Sequence, residues 1–199
     1  MIYNIIFLII WFTFSLIRVP HSKAYKKTEK EKSIRPKLEV FLVLLNFFGM
    51  VIFPVASIVL SFFNFDFFNS FIITLPDWMI ISSLIILVLS LIIFYVVHKE
   101  LGKNWSPVLE IRKDHTLIKT GIYKRIRHPM YLQLWIWVIF QGITLQNWFV
   151  EAFGIGAWAF LYFIRIGAEE KMLLDEFGDE YKSYIQNTGR ILPKIWNVD

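Results

Sequence analysis

Long runs of apolar residues alternate with shorter polar connections along this chain. Three runs lie before residue 98, and two shorter runs follow a polar stretch. A helix needs about 20 mostly apolar residues to cross roughly 30 Å of hydrocarbon. The pattern therefore predicts five transmembrane helices, at residues 2–17, 38–63, 78–97, 131–146 and 148–164. The last two form a hairpin that turns at Gln146 and Asn147, and the predicted fold class is an all-α membrane bundle.

The composition supports this interpretation. The chain has 199 residues, of which 56% are hydrophobic, and it contains 20 Phe and 8 Trp, as is typical of a polytopic membrane protein. The first apolar run has no basic residue before it and no small-residue cleavage site after it, so we expect a membrane anchor and not a secretory signal. The sequence contains no Cys, which excludes disulfides and thiolate chemistry, and we predict no metal site.

The basic residues predict the orientation in the membrane. All 21 Lys and Arg residues lie in segments 18–37, 99–127 and 165–194, whereas the connections at 64–77 and 146–147 contain none. Because loops rich in Lys and Arg stay in the cytoplasm, we expect a multi-pass cell membrane protein with its amino terminus outside. The carboxyl terminus and the active site would be cytoplasmic. Attraction of the basic segments to anionic lipids accounts for the net charge of +5 without a further partner. We therefore predict no nucleic-acid partner.

The chain has no internal repeat and no long flexible linker, so residues 1–199 are predicted to form one domain. Residues 1–97 supply three spans, and residues 98–199 supply a loop, the helical hairpin and carboxyl-terminal helices. Small and polar residues inside the early spans are expected to let helices pack closely. They are Asn46, Gly49, Pro54, Ser57, Ser82, Ser83 and Ser90.

Two polar segments are predicted to form a pocket on the cytoplasmic side. The loop at 98–120 has too much apolar character for a free linker, with Trp105, Leu109, Ile111, Leu117 and Ile118 among its residues, so it should fold back over the bundle. The last span can continue as a helix from Arg165 to Phe177, because good helix formers follow and Gly178 is a natural stop. A short helix at 179–186 would come next. The pocket would lie between the 98–130 loop and these carboxyl-terminal helices.

Charged residues mark both ends of the hairpin. His128 precedes Pro129, which is favoured at the first position of a helix, and free amides there, together with Arg127, would attract an anion. Arg165 and Glu169 are four residues apart and share one helix face. Charges at a membrane border that face the bundle interior indicate a functional site. The alternative is that these residues mark the interface, with a solvated Arg165–Glu169 pair.

The ordered motifs of the second half resemble one enzyme family. They are Gly-Ile-Tyr-Lys-Arg-Ile-Arg-His-Pro-Met-Tyr at 121–131, two apolar spans, Arg165 with the pair Glu169-Glu170, and Phe-Gly-Asp-Glu-Tyr at 177–181. This set resembles the integral-membrane isoprenylcysteine carboxyl methyltransferases. The resemblance reaches back to about His115 and forward to Pro193, and the first 98 residues contain no matched motif.

The resemblance implies a cofactor and a set of site residues. The cofactor is S-adenosylmethionine, and the matching positions are His115, Thr116, Leu117, Ile118, Tyr123, His128, Pro129, Met130, Tyr131, Glu169 and Glu170. Arg165 is expected to face the carboxylate of a prenylated or other lipid-like acceptor in the bilayer, and Arg127 to have a substrate or transition-state role. Arg165, Arg127 and Glu169 are thus the predicted catalytic residues.

The residue types suit that cofactor. S-adenosylmethionine carries a sulfonium, an ammonium and a carboxylate, so it needs acidic groups, an anion-binding element and an aromatic cradle, which Glu169, the start of the fourth span, Tyr123 and Tyr131 can supply. No Gly-x-Gly-x-x-Gly sequence follows a strand pattern, which excludes a Rossmann domain. A carboxylate acceptor is ionised near neutral pH and needs no general base.

Three alternatives follow from the same motifs. A phospholipid N-methyltransferase would share the cofactor site but would need Glu170 or a histidine as a base. A membrane sterol reductase would bind a nicotinamide cofactor. A non-enzymatic membrane protein with the same fold would bind neither cofactor.

Overall fold

The computed structural model describes residues 2–27, 30–33, 36–61, 63, 66–112 and 115–194. Its α-helices are α1 (Ile2–Lys27), α2 (Pro36–Phe47), α3 (Phe53–Ser61), α4 (Asp66–Asn69), α5 (Asp77–Leu101), α6 (Pro129–Leu145) and α7 (Trp148–Asn187). A π-helical turn (Phe48–Ile52) joins α2 to α3, and 3₁₀ turns lie at Gly102–Asn104 and Gly121–Lys124. Two short strands, β1 (Lys30–Ser33) and β2 (Glu110–Arg112), pair antiparallel.

The predicted all-α membrane bundle is confirmed. Four helical segments are long and apolar enough to cross a membrane, at Ile2–Lys23, Lys37–Ser61, Asp77–Asn104 and Trp148–Asn187. The remaining predicted span corresponds to α6, which is apolar but has only 17 residues, about 26 Å at 1.5 Å per residue. The two-stranded sheet was not predicted from the apolar pattern, because its strands have only four and three residues.

Small and polar residues let the second span pack against the hairpin. A Cβ on Gly49 would lie 3.2 Å from the Cα of Gly154, so the glycines allow α7 to approach the π-helical turn closely. The Gln141 side chain of α6 donates to the Gly49 carbonyl at 3.0 Å, and Asn46 donates to the Ala157 carbonyl at 3.2 Å. The predicted packing role of Asn46 and Gly49 is confirmed.

The connections without Lys or Arg meet at one end of the bundle. Ile72 and Asn147 form an antiparallel bridge, the Ile73 amide donates to the Gln146 carbonyl at 2.8 Å, and the Trp148 amide donates to the Phe71 carbonyl at 3.1 Å. The described parts of the three basic segments lie at the other end, where β1 pairs with β2. The charge pattern and the fold therefore define the same two faces.

Both predicted cytoplasmic segments fold onto the bundle. Trp105, Leu109 and Ile111 are buried, which confirms that the described part of the 98–120 loop packs instead of extending into solvent. Gly178 interrupts α7 with φ 52° and ψ −125°. Glycine adopts this positive φ at no steric cost, so the chain turns where the sequence predicted a stop. The residues beyond it form the expected second helix.

Candidate active site

A cavity of about 800 Å³ joins the membrane spans to the folded-back loop. Its membrane side is lined mainly by apolar and aromatic residues, including Trp11, Phe14, Phe47, Met50, Phe94 and Trp137. Its other side is lined by predicted site residues, namely His115, Thr116, Leu117, Ile118, Tyr123, Arg127, His128, Met130, Tyr131, Arg165 and Glu169. Pro129 and Glu170 are not among the lining residues. One cavity thus unites segments more than 50 positions apart in the sequence.

The start of α6 places His128 between two carboxylates. Pro129 is the first residue of α6, as predicted, and the His128 amide donates to the Arg190 carbonyl at 2.9 Å. The imidazole Nδ1 lies 3.5 Å from Glu169 Oε1, and Nε2 lies 3.4 Å from Glu170 Oε1. Burial lowers the pKa of His128, but the two carboxylates outweigh that effect, so the pKa is raised above its ordinary value. The imidazole is thereby favoured in its charged form.

Glu169 lies between His128 and Arg165 and faces the cavity. The Tyr131 hydroxyl donates a hydrogen bond to Glu169 Oε2, and Arg165 Nε lies 3.8 Å from the same oxygen. The Tyr131 ring stacks on His128 with centroids 5.4 Å apart. The Glu169 side chain remains 23% exposed, so it is a fixed negative charge that is still accessible from the cavity.

Glu170 has a different environment from Glu169. It pairs with Arg127 Nη2 at 3.2 Å and with Arg190 Nη2 at 2.5 Å. Arg127 Nη1 also donates to the carbonyls of Ile185 and Thr188. These contacts bind the carboxyl-terminal tail to the segment before α6, where the Arg127 amide also donates to the Gly189 carbonyl at 2.9 Å. The Glu170 carboxylate hydrogen bond raises the pKa of Arg190.

The first turn of α6 offers few free amides for an anion. Pro129 has no N–H group, and the amides of Tyr131 and Leu132 donate to the His128 carbonyl at 3.1 and 3.3 Å. The guanidinium of Arg127 is engaged by Glu170 and two carbonyls. The predicted anion-binding element at this helix start is therefore mostly satisfied by the protein itself.

Arg165 faces a carboxylate that the sequence analysis missed. Its Nε lies 3.6 Å from Glu39 Oε2, and its Nη1 donates to the Pro107 carbonyl at 3.1 Å. Glu39 is only 3% exposed and accepts a hydrogen bond from the Leu109 amide at 3.1 Å. A signal was present, because Glu39 is an acidic residue at the start of an apolar run, but the distance of 126 positions from Arg165 hid the pairing.

Unpartnered polar atoms support a ligand site in this cavity. His115 Nδ1 and the Tyr181 hydroxyl are buried without a hydrogen-bond partner in the described part of the chain, and both residues line the cavity. Burial lowers the pKa of His115, which favours a neutral imidazole. Such atoms are costly unless a ligand or water satisfies them. With Glu169 and the aromatic rings of Tyr123 and Tyr131, they fit a ligand with cationic, polar and aromatic parts.

Fold and site together define a class: a multi-pass α-helical membrane protein with a charged ligand cavity at one end of its bundle. Comparison with known proteins gives the family. The family model described as "Isoprenylcysteine carboxyl methyltransferase (ICMT) family" matches residues 79–175. This confirms the resemblance: residues 79–175, just under half of the chain, are similar to the isoprenylcysteine carboxyl methyltransferase family.

Curated proteins named protein-S-isoprenylcysteine O-methyltransferase are similar to the same part of the chain. The Dictyostelium discoideum protein is 34% identical over 97 residues, which is 47% of this chain and 40% of that protein. The Saccharomyces cerevisiae protein is 36% identical over 97 residues, again 47% and 40%. The Tribolium castaneum protein is 36% identical over 97 residues, 47% of this chain and 34% of that protein. The chain thus matches less than half of each of these relatives.

A solved structure shares the fold. It is the eukaryotic intramembrane Ras methyltransferase of this family, solved without a monobody, with a TM-score of 0.56 and 30% sequence identity. The match covers 71% of this chain and 50% of that chain. It therefore extends the similarity beyond the segment that the family model covers.

Proposed function

We propose that this protein transfers a methyl group from S-adenosylmethionine to the carboxylate of a lipid-like acceptor of the isoprenylcysteine type. The products are a methyl ester and S-adenosylhomocysteine. One observation carries this proposal: His128, Tyr131, Arg165 and Glu169 converge on a cavity that continues between apolar spans, within the segment that matches the methyltransferase family.

The polar side of the cavity would hold the cofactor. Glu169 supplies a negative charge for its ammonium or sulfonium group, and Tyr123, His115 and Tyr131 supply aromatic and polar surface. Backbone and side chains of Thr116, Leu117, Ile118 and Met130 complete that wall. Asn104 holds the loop in place, because its side chain donates to Thr116 Oγ1 at 3.0 Å and accepts from the Thr116 amide at 3.2 Å.

The membrane side of the cavity would hold the apolar tail of the acceptor. Its aromatic lining provides surface for an isoprenoid chain, whose transfer out of water is favourable. Arg165 lines the same cavity with a side chain that is 11% exposed. A charge-assisted hydrogen bond from this guanidinium would orient the acceptor carboxylate. A lipophilic acceptor explains why the enzyme is embedded in a membrane.

The chemistry needs alignment more than acid–base catalysis. The cofactor supplies a methyl group on a sulfonium, and as the new O–CH₃ bond forms the C–S bond breaks, with its electron pair going to sulfur. No proton moves, because the acceptor carboxylate is already ionised near neutral pH. The residues of the site would act by holding the reactants, excluding water and placing charge.

Arg127 and Glu170 would act indirectly. Their contacts bind the carboxyl-terminal tail to the segment before α6, which fixes His128 and so Glu169. We assign them to positioning of the site, and Arg165 and Glu169 to contact with the acceptor and the cofactor. Within the proposal, residues 1–199 form one unit with the amino terminus outside and the cavity opening to the cytoplasm, as the basic segments favour.

The first test is methyl transfer by the purified protein. Labelled S-adenosylmethionine is supplied in lipid with N-acetyl-farnesylcysteine and, in parallel, phosphatidylethanolamine. We expect label in the prenylcysteine that alkali releases as methanol. Stable label on phosphatidylethanolamine would instead establish N-methylation, and transfer to neither acceptor would contradict the proposal.

Site variants then test the residue assignments. Glu169→Gln should reduce kcat/KM by about 100-fold or more, as expected for loss of a charge at a reacting centre, whereas Glu176→Gln on the exposed surface of α7 should leave it unchanged. Arg165→Ala should abolish ester formation but retain cofactor binding. Retained ester formation in Arg165→Ala would remove that residue from the proposed site.

A further inference from the structure

Arg18 lies at the inner wall of the cavity, although its position at the end of an apolar run suggested only a membrane-border charge. It lines the cavity together with Ser15 and Lys23. Its guanidinium carbon lies 5.3 Å from the centroid of the Trp105 ring, within the range of a cation–π interaction. The guanidinium therefore faces the interior of the protein, not the lipid headgroups alone.

No carboxylate of the described residues pairs with Arg18, in contrast to the other arginines of the cavity. Arg127 pairs with Glu170, and Arg165 pairs with Glu39 and Glu169. For Arg18 the Trp105 ring is the one partner found in the described chain. A half-buried cation without a counterion is costly, and an anionic ligand would relieve that cost.

His98, whose ring lies 5.2 Å from the Trp105 ring, has one polar atom without a partner among the described residues. His98 is 1% exposed and lines the cavity. Its Nδ1 lies 2.9 Å from the Phe94 carbonyl, and since a carbonyl only accepts, Nδ1 carries the proton. Nε2 is buried without a hydrogen-bond partner among the described residues. It can accept from an N–H or O–H group of a ligand.

The wall next to this pair is aromatic. Phe14 lies one helical turn before Arg18 on α1, and Phe94 lies one turn before His98 on α5. The two phenyl rings stack with centroids 4.0 Å apart, and Phe14 also lies 4.5 Å from Trp137. The cavity thus passes from a layer with Arg18 and His98 to a layer of aromatic rings. This order matches an amphiphile with its charged head at Arg18 and its apolar tail against the rings.

We propose that Arg18, His98 and Trp105 form a subsite for the anionic headgroup of an amphiphile. The head is a carboxylate or a phosphate that carries a neighbouring hydrogen-bond donor, such as an amide or a hydroxyl. The guanidinium of Arg18 binds the anion, and His98 Nε2 accepts from the donor. The subsite borders the segment 115–118 that would hold the cofactor, because Asn104, which precedes Trp105, is hydrogen-bonded to Thr116. It shares the cavity of the proposed function but does not require methyl transfer.

Two matched ligand pairs test the subsite by equilibrium binding to the full-length protein in zwitterionic nanodiscs. The first pair is radiolabelled N-acetyl-farnesylcysteine and its uncharged methyl ester. The second pair is oleoyl lysophosphatidate and oleoylglycerol, which differ by the phosphate. We expect the wild type to prefer at least one charged ligand, and Arg18→Gln to weaken it by on the order of tenfold to a hundredfold while the uncharged partner is unaffected.

An Arg18-dependent preference in the first pair would move the acceptor carboxylate from Arg165 to Arg18, and one in the second pair would identify a phospholipid-like ligand; either result supports the subsite. Arg18→Lys should retain part of the preference, and it provides the comparison if Arg18→Gln does not fold. His98→Phe keeps an aromatic ring and should weaken binding several-fold. Arg125→Gln, an exposed residue outside the cavity, should have no effect.

The proposal is overturned if Arg18→Gln lowers the affinity for charged and uncharged ligands equally, or if it behaves like Arg125→Gln. It is also overturned if only Arg165→Gln removes the preference for the charged head. Because binding is measured without transfer, a protein that methylates nothing but shows the Arg18-dependent preference would refute the proposed function and retain the subsite.

Discussion

The cations that line the cavity have different kinds of partner on its two sides. Beside α7 and the start of α6, Arg165 faces Glu39 and Glu169, and His128 lies within 3.5 Å of two glutamates. On the side formed by α1 and α5, Arg18 lies beside an aromatic ring, and His98 Nε2 has no hydrogen-bond partner among the described residues. The same types of side chain are therefore placed in two different electrostatic environments of one cavity.

This difference separates cations that carboxylates of the protein already neutralise from a cation that has no carboxylate partner among the described residues. A matched buried pair fixes its members, and removal of one partner leaves the other exposed to the full desolvation cost. A cation beside an aromatic ring is less stabilised and more available to an anion. Removal of one member of a pair beside α7 should accordingly change stability or geometry as well as ligand binding, whereas variants at Arg18 should change ligand preference alone.

The largest effect is expected for Glu170→Ala. It leaves Arg127, whose side chain is 8% exposed, without its carboxylate, and loss of one partner from a buried pair costs about 3 to 5 kcal/mol. The matched control is Glu180→Ala. Glu180 pairs with Lys119 at 2.5 Å, but the side chains are 51% and 45% exposed, so the expected loss is at most about 1 kcal/mol.

The measurement is the free energy of unfolding in detergent, from denaturant titration followed by far-UV circular dichroism. Equal losses for the two variants would contradict the distinction between the buried Glu170–Arg127 pair and the exposed Glu180–Lys119 pair.

A smaller effect is expected for Glu39→Gln. This change removes one of two carboxylates that face Arg165, while the new side chain can still accept from the Leu109 amide. If Arg165 binds the acceptor carboxylate, KM for that acceptor should fall about fivefold, with little change in kcat. This corresponds to roughly 1 kcal/mol of binding free energy. Glu176→Gln is the control at the exposed surface. A rise in KM would instead show that Glu39 holds Arg165 in its working position.

The smallest effect is a dependence of stability on pH. Carboxylates outweigh burial and raise the pKa of His128 in the folded state, so the folded protein binds the proton more tightly than the unfolded chain. The resulting stabilisation is complete below the unfolded pKa, about 6.5, and is lost as the pH rises through the raised value. The difference in melting temperature between wild type and His128→Gln should therefore shrink between pH 6 and pH 9.

His115 provides the control of opposite sign. Burial lowers its pKa, so charging it opposes folding, and wild-type stability should fall relative to His115→Gln as the pH drops below about 6.5. Parallel pH profiles for the two variants would contradict the different environments of the two histidines.

Relations between residues that are close in the sequence predicted much of the site. The His128-Pro129 boundary is a property of adjacent residues, and the shared helix face of Arg165 and Glu169 follows from their spacing of four. The sequence also indicated that both belong to one pocket, which the cavity confirms. It did not separate Glu169 from Glu170, because neighbours on a helix point about 100° apart and only the surrounding elements decide which one faces the cavity.

The sequence by itself determined the apolar spans, the stop at Gly178 and the motifs of the second half, since these depend on run length, backbone conformation and residue order. Only the tertiary structure decided which charges are paired. Glu39 reaches Arg165 across 126 positions and Arg18 reaches Trp105 across 87 positions, because helices α1 and α2 pack beside the folded-back loop. Ion pairs form between side chains that lie a few ångströms apart in space. The spacing of residues along the sequence does not show which side chains come that close.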